Sequence, residues 1–221
     1  APPAGDGYVD VAIGDCQACA LADDGTIACW GCPAGDGDVV PPAGRYSAIS
    51  MGFSHVCAKR AGDGKVICIG AAESVPDGDL TTIVSGLGAS CAIRQDVSGA
   101  GNVVCWGEDL GGNIRPPAVV ATDLGGQARQ FCAVDTAGAL ACWGQDLVGA
   151  LQPPAGRFRS VDGSCAIDEA GTIHCWGERP LEPPAGCFTE VAANYYHGCG
   201  LRGDGRIVCW GSNTKGEASP P

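Results

Sequence analysis

Apolar residues along this chain fall in short alternating runs, Cys19-Ala-Leu21 and Ile27-Ala-Cys29 around an Asp-Asp-Gly turn, and not at helical spacing. Alternation of this kind marks strands with one face set apart from the other. The pattern returns six times, as CALADDGTIACWG from Cys19, CAKRAGDGKVICIG from Cys57, CAIRQDVSGAGNVVCWG from Cys91, CAVDTAGALACWG from Cys132, CAIDEAGTIHCWG from Cys165 and CGLRGDGRIVCWG from Cys199. In four copies nine residues separate the two cysteines, and Gly25, Gly138, Gly171 or Gly205 sits one past the midpoint. That placing suits a three-residue hairpin loop ending on a left-handed glycine. Copy two is one residue longer and copy three four longer, and both additions fall in the turn, where insertions do not disturb pairing.

The register follows from symmetry about each turn. Cys19 falls opposite Cys29 and Leu21 opposite Ile27; Cys132 opposite Cys142 and Val134 opposite Leu140. Cys165 and Cys175 flank Ile167 and Ile173, and Cys199 and Cys209 flank Leu201 and Ile207. The spacing predicts six hairpin disulfides, Cys19–Cys29, Cys57–Cys68, Cys91–Cys105, Cys132–Cys142, Cys165–Cys175 and Cys199–Cys209. The Trp after each second cysteine points to the opposite face, so both faces are apolar and each small sheet must be covered on two sides. Six such sheets satisfy that requirement in a ring, a closed all-β propeller of six blades. Tyr46–Ile49, Phe158–Val161 and Phe188–Val191 read as a strand before the hairpin, and the variable segment after Cys-Trp-Gly as a fourth. The repeat units run approximately 1–39, 40–79, 80–116, 117–152, 153–182 and 183–221, together one domain over 1–221. The first and last residues fall at a repeat junction, so terminal strands are expected to close the ring.

Thirty-six Gly and fifteen Pro fit many turns and few long helices. Fifteen Cys at regular spacing point to an oxidising compartment, secreted or at the cell surface. The start at Ala1-Pro2-Pro3-Ala4 fits the residue of a cleaved signal peptide as well as a trimmed chain. A formal net charge of −12 with no basic stripe argues against nucleic acid as a partner, and no run of 18 apolar residues suits membrane insertion.

Cys-Ala-Leu, Asp-Gly and Cys-Trp-Gly, with His55 and His197 ahead of the first cysteine, resemble the regulator-of-chromosome-condensation repeat in its cysteine-bearing extracellular form. Similar repeats occur in bacterial secreted proteins and in the ectodomains of plant CRINKLY-type receptor kinases. A propeller-type secreted beta-lactamase inhibitor shares the scaffold without the cysteines. The resemblance implies a propeller, usually of seven blades where this chain shows six. It implies no single activity, because such scaffolds host unrelated functions.

Cys16 and Cys32 flank the first hairpin at spacing that suits zinc, but Cys19 and Cys29 already fill disulfide positions. Cys16 also falls opposite Cys32 in the same register. The expectation is a second bridge, Cys16–Cys32, with no metal and no cofactor. Cys187 has no partner in the repeat and is left free, capped or cross-linked. No nucleophile elbow, zinc-helix motif or phosphate loop is present, so the chain is not expected to be an enzyme. The Trp set at positions 30, 106, 143, 176 and 210 suits packing between blades better than sugar stacking, since copy two has Ile69 there.

What differs between copies is free to recognise a partner. Loops before each first cysteine carry Phe53, Arg129, Phe131, Asn194, Tyr195 and Tyr196, large side chains suited to an interface. The expected function is extracellular recognition or inhibition of a protein partner through one propeller face. The alternatives are a carbohydrate-binding lectin and a structural subunit of a surface layer or filament, self-assembling through Cys187 or rim loops.

Overall fold

The computed structural model describes residues 7–14, 17–31, 39–70, 74–95, 101–146, 149–178 and 180–213. Every regular element among them is a strand. They are β1 (Tyr8–Ile13), β2 (Ala18–Ala22), β3 (Ile27–Trp30), β4 (Tyr46–Met51), β5 (His55–Arg60), β6 (Val66–Gly70), β7 (Leu80–Ser85), β8 (Ala89–Gln95), β9 (Gly101–Gly107), β10 (Val120–Gln127), β11 (Gln130–Asp135), β12 (Leu140–Gly144), β13 (Phe158–Asp162), β14 (Cys165–Asp168), β15 (Ile173–Cys175), β16 (Glu190–Ala193), β17 (His197–Leu201) and β18 (Ile207–Gly211). Each repeat yields three consecutive antiparallel strands, so there are six such sheets in chain order, with the hairpin as the second and third strands. The expected fourth strand is not formed where the chain is described. Residues 108–119 and 180–189, after Cys-Trp-Gly, run as turns and irregular chain, in keeping with their Pro and Gly content. The third and fourth sheets are bridged by a short pairing, Val120 with Asn102 and Ala121 with Gly101, into one six-stranded sheet. The longer hairpin of copy three reaches far enough to make it.

The hairpin register is as the sequence predicts: Cys19 opposite Cys29, Leu21 opposite Ile27, Cys132 opposite Cys142 and Leu201 opposite Ile207. All six hairpin disulfides are formed, with Cα–Cα separations of 4.0–4.1 Å. Gly25, Gly138, Gly171 and Gly205 turn the hairpins at φ of 84–89°, a conformation that costs other residues free energy. Cys187 is free and exposed. Cys16 and Cys32 lie outside the described residues.

Each sheet has a cysteine face, carrying the disulfide and its aliphatic pair, and a tryptophan face. The tryptophan face of one sheet packs on the cysteine face of the sheet before it. Between the fourth and fifth sheets this brings Phe158, Val161, Ala166 and Trp176 onto Cys132, Val134 and Leu140. Between the fifth and sixth it brings Phe188, Val191 and Trp210 onto Cys165, Ile167 and Ile173. Five such clusters join the six sheets in sequence. Among the described residues none joins the sixth sheet to the first, so the closed ring expected from the sequence is joined at five places.

The Pro-Pro-Ala-Gly landmark is explained by this packing. The aromatic that follows it is buried at Tyr46, Phe158 and Phe188. Its backbone N–H donates to the turn glycine of the preceding hairpin: Tyr46 to Gly25, Phe158 to Gly138 and Phe188 to Gly171, each at 2.8 Å. The landmark thus seats the second, fifth and sixth sheets on the ones before them.

Candidate binding face

In every sheet the turn between the first and second strands lies at the same end. The last residues of β1, β4, β7, β10, β13 and β16 line one open cavity of about 720 Å³ at that end, together with Phe53, Asn194 and His197. The innermost strands therefore surround a common axis, and the turns rim its mouth. Successive turns are locked edge to edge: Phe53 N–H donates to the Gly86 carbonyl at 3.1 Å, and Leu87 N–H to the Ala128 carbonyl. A side chain at Gly52 or Gly86 has no room, because its Cβ would stand 2.3 Å from the next turn's carbonyl oxygen.

On this rim the sequence candidates separate. Phe53 is 56% exposed and Tyr196 is 72% exposed, the most prominent aromatics of the face. Asn194 organises the sixth turn: its Oδ1 accepts from Tyr196 N–H at 2.8 Å and from His197 N–H at 3.0 Å. This side-chain cap presents Tyr195 and Tyr196 edge to face, with centroids 6.5 Å apart. Tyr195 is half-buried, and its hydroxyl is enclosed without a hydrogen-bond partner. Burial, followed by the nearby Tyr196 and Asp146, holds that hydroxyl above the usual tyrosine pKa. Arg129 is held within its own sheet, donating to Oε1 of Gln145, just beyond β12, at 2.9 Å, and remains half-buried.

Phe131 is placed elsewhere. It is fully buried, stacked on Trp143 at 6.0 Å between centroids, in the core between the third and fourth sheets. It lies inside β11, one residue before Cys132, and not in the turn; its ring occupies the space that Gly126 leaves empty. It offers a partner no surface. His55 is likewise buried, with Nε2 2.7 Å from Ser90 Oγ on the next sheet, and burial lowers its pKa. It ties two sheets together.

The sequence pattern did not single out two polar groups on the cavity wall. Gln127 is buried with both amide atoms unpartnered. Asp162 is surrounded by protein except toward the cavity, and accepts from Ala193 N–H at 2.9 Å. Burial raises its pKa to about 6, with a smaller push from the charge of Asp123, against backbone hydrogen bonds that lower it. Asp123, also raised by burial, accepts from Val161 N–H at 3.0 Å. Both carboxylates span from one inner strand to the next. Their signal in sequence was an Asp on the inner strand, visible only once the sheets were placed side by side. Four of the five tryptophans are buried, and Trp143 and Trp176 donate to the carbonyls of Asn113 and Ala150, so they serve packing.

Comparison with known proteins places this architecture. The chain superposes on the CRINKLY ectodomain of the Arabidopsis thaliana receptor kinase ACR4 with a TM-score of 0.76 and 24% identity, over 92% of this chain and 80% of that one. The entire ectodomain of the Physcomitrella patens receptor kinase CR4 gives 0.75 at 24% identity, over 92% of this chain and 64% of that one. Prp20p of Saccharomyces cerevisiae, described for its binding to Gsp1p and histones, gives 0.75 at 12% identity, over 92% and 72%. No curated protein sequence matches the chain. The family model of the regulator of chromosome condensation (RCC1) repeat matches residues 188–217. Residues 188–217 thus match the regulator-of-chromosome-condensation repeat, within an all-β chain whose fold is similar to the propellers of these solved structures.

Proposed function

We propose that the chain is an extracellular protein-recognition module that binds its partner at the turn-bearing end of the cavity. The observation that carries this reading is the pair of exposed aromatics, Phe53 and Tyr196, raised by differing turns on the rim of one cavity. Rigid aromatic side chains bring large contact area at small entropic cost, which is why they dominate interface energetics. Six disulfides support a secreted or surface setting, and the likeness in fold to receptor ectodomains is consistent with it. A lectin built on the tryptophans is disfavoured by their burial.

Phe53, Asn194, Tyr195 and Tyr196 form the proposed contact set, with Arg129 at its side. Gln127 and Asp162 stand in the cavity below, where a donor side chain from the partner finds an amide oxygen and a carboxylate. The test is photo-crosslinking in the source organism's extracellular fluid from position 196, compared with position 204 on a hairpin turn at the opposite end. A specific protein cross-link from 196 and none from 204 is expected. Equal labelling from both positions, or glycan-array binding that survives replacement of Tyr196, contradicts the reading.

A further inference from the structure

The turn-bearing end carries negative charge that the described residues do not balance. Glu108, Asp146 and Glu178 follow the third strands of the third, fourth and fifth sheets and stand exposed on the rim. Backbone bonds hold them there: Glu108 N–H donates to the Gly88 carbonyl at 2.8 Å, and Gln145 N–H, beside Asp146, to the Arg129 carbonyl at 3.0 Å. None of these three acids is in an ion pair among the described residues, whereas Asp24, Asp63, Glu169 and Asp204 at the hairpin-turn end each hold an arginine. Arg129 on the rim is already engaged by Gln145.

The imbalance continues into the cavity. Asp162 lines both the axial cavity and a smaller one of about 270 Å³, which Asp123, Ser160, Thr189 and Glu190 also wall. Among the described residues no lysine or arginine lines either cavity. Burial is the largest influence on Asp162 and disfavours its charge. A cation brought to the carboxylate offsets that penalty. Gln127 points to a ligand independently. It is 8% exposed and lines the axial cavity, and neither its amide oxygen nor its amide nitrogen has a hydrogen-bond partner. Buried amides are seldom left so. Its Oε1 stands 3.0 Å from the place a Cβ on Gly163 would take, beside the residue that follows Asp162. A donor entering from the mouth therefore meets an amide oxygen and a carboxylate side by side.

We propose that the axial cavity receives a basic side chain, lysine or arginine, of the protein partner, with its cationic head seated between Gln127 and Asp162. The inference rests on the recognition face proposed above and adds the chemistry of what enters it. The rim acids steer a basic surface to the mouth, and the enclosed carboxylate selects for the charge. A metal ion is a poorer occupant: among the described residues no three His, Cys, Asp or Glu side chains are grouped to hold one. Neutral and acidic side chains gain nothing from Asp162.

The test has two arms. In the first, butylammonium, ethylguanidinium and neutral butyramide are titrated into the protein at constant ionic strength. The Ala193 backbone amide and the Gln127 side-chain amide are followed by NMR. At least one cation should shift both signals saturably, and butyramide neither. Asp162→Asn, which keeps an acceptor for Ala193, should weaken cation binding at least about tenfold. In the second arm, the protein captured by cross-linking at position 196 should bind Asp162→Asn at least about tenfold more weakly than the parent. Glu108→Lys with Glu178→Lys, both on the exposed rim, should slow its association at least about threefold. The inference is overturned if neither cation outdoes butyramide, if Asp162→Asn binds the cations or the captured protein as tightly as the parent, or if the rim variant associates at an unchanged rate. Capture at 196 with Asp162→Asn unaffected removes the cation seat and leaves the face standing. Cation binding with nothing captured at 196 removes the face, and the seat's role with it.

Discussion

The turn ends of the fourth and sixth sheets occupy the same place in the repeat and carry aromatics before the same cysteine, yet they do opposite things. In the fourth, Phe131 sits one residue before Cys132, opposite Trp143 in the ladder, and fills the core against a glycine at position 126. In the sixth, that position is Gly198, because Trp210 fills the space itself, and the aromatics are displaced two and three residues into the turn. There an asparagine cap holds Tyr196 out to solvent, with Tyr195 half-buried beside it. What matters is the position of a side chain relative to the last paired residue. A large residue inside the ladder is committed to packing, and one beyond it is available to a partner.

The sharpest way to break the comparison is Phe131→Ala. Emptying a fully buried aromatic site costs about 3–5 kcal/mol, measured by chemical denaturation, and any loss of binding should follow the loss of folded protein. If Phe131→Ala leaves stability within about 0.5 kcal/mol and abolishes recognition, the two turn ends are not different in kind.

The hairpin disulfides extend the contrast. Replacing Cys132 and Cys142 together by Ala should cost about 3 kcal/mol by the chain-entropy argument, since that bridge is packed inside two sheets. The same change at Cys199 and Cys209 should cost measurably less, because Cys199 is half-buried where Cys132 is fully buried, and the structure relaxes around it. Equal losses in denaturant titrations count against this difference between the two sheets.

A smaller effect comes from Asp162, which holds Ala193 beside the Asn194 turn. Its folded-state pKa of about 6 lies above the ordinary value of 3.8, so the folded protein binds the extra proton. That stabilisation is fully present below about pH 4 and is lost as pH rises through about 6. Acidification from pH 7.5 to 5 should therefore raise the stability of the unaltered chain by about 1 kcal/mol relative to Asp162→Asn, which keeps an acceptor for Ala193. The comparison with the variant is needed because burial lowers the His55 pKa, so His55 costs stability over the same range in both chains. Below pH 4 both chains lose stability, because Asp168, held low by its hydrogen bonds to His174 and Thr172, loses its charge. Identical pH dependence of the melting temperature in the two chains between pH 7.5 and 5 sinks this assignment.

Much of the frame was legible before any coordinates. The six hairpins, their register, the turn glycines and the disulfides follow from alternation and symmetry within stretches of thirteen to seventeen residues, where every interaction is local. The inter-sheet packing role of tryptophan was legible too, through Ile69 in its place. Three features were not. The fourth strand was read into segments whose Pro and Gly disfavour pairing. Phe131 was grouped with the loop because the ladder's last pair could not be placed from spacing alone. Asp123 and Asp162 reach partners 38 and 31 residues away in sequence, and nothing local marks them. Closure fails to be legible for a related reason: each repeat specifies its neighbour, and the number needed to complete a ring is a property of the angle between sheets.

The double variant Tyr195→Ala/Tyr196→Ala tests the central claim most directly. Its melting temperature should fall by no more than about 4 °C, since exposed Tyr196 contributes little and half-buried Tyr195, its hydroxyl enclosed without a partner, contributes about 1 kcal/mol. Affinity for the protein captured by cross-linking at position 196 should fall tenfold or more, about 1.4 kcal/mol. A variant that unfolds, with binding lost only in proportion to the folded protein lost, would show these tyrosines to be packing residues and the rim to be no binding face.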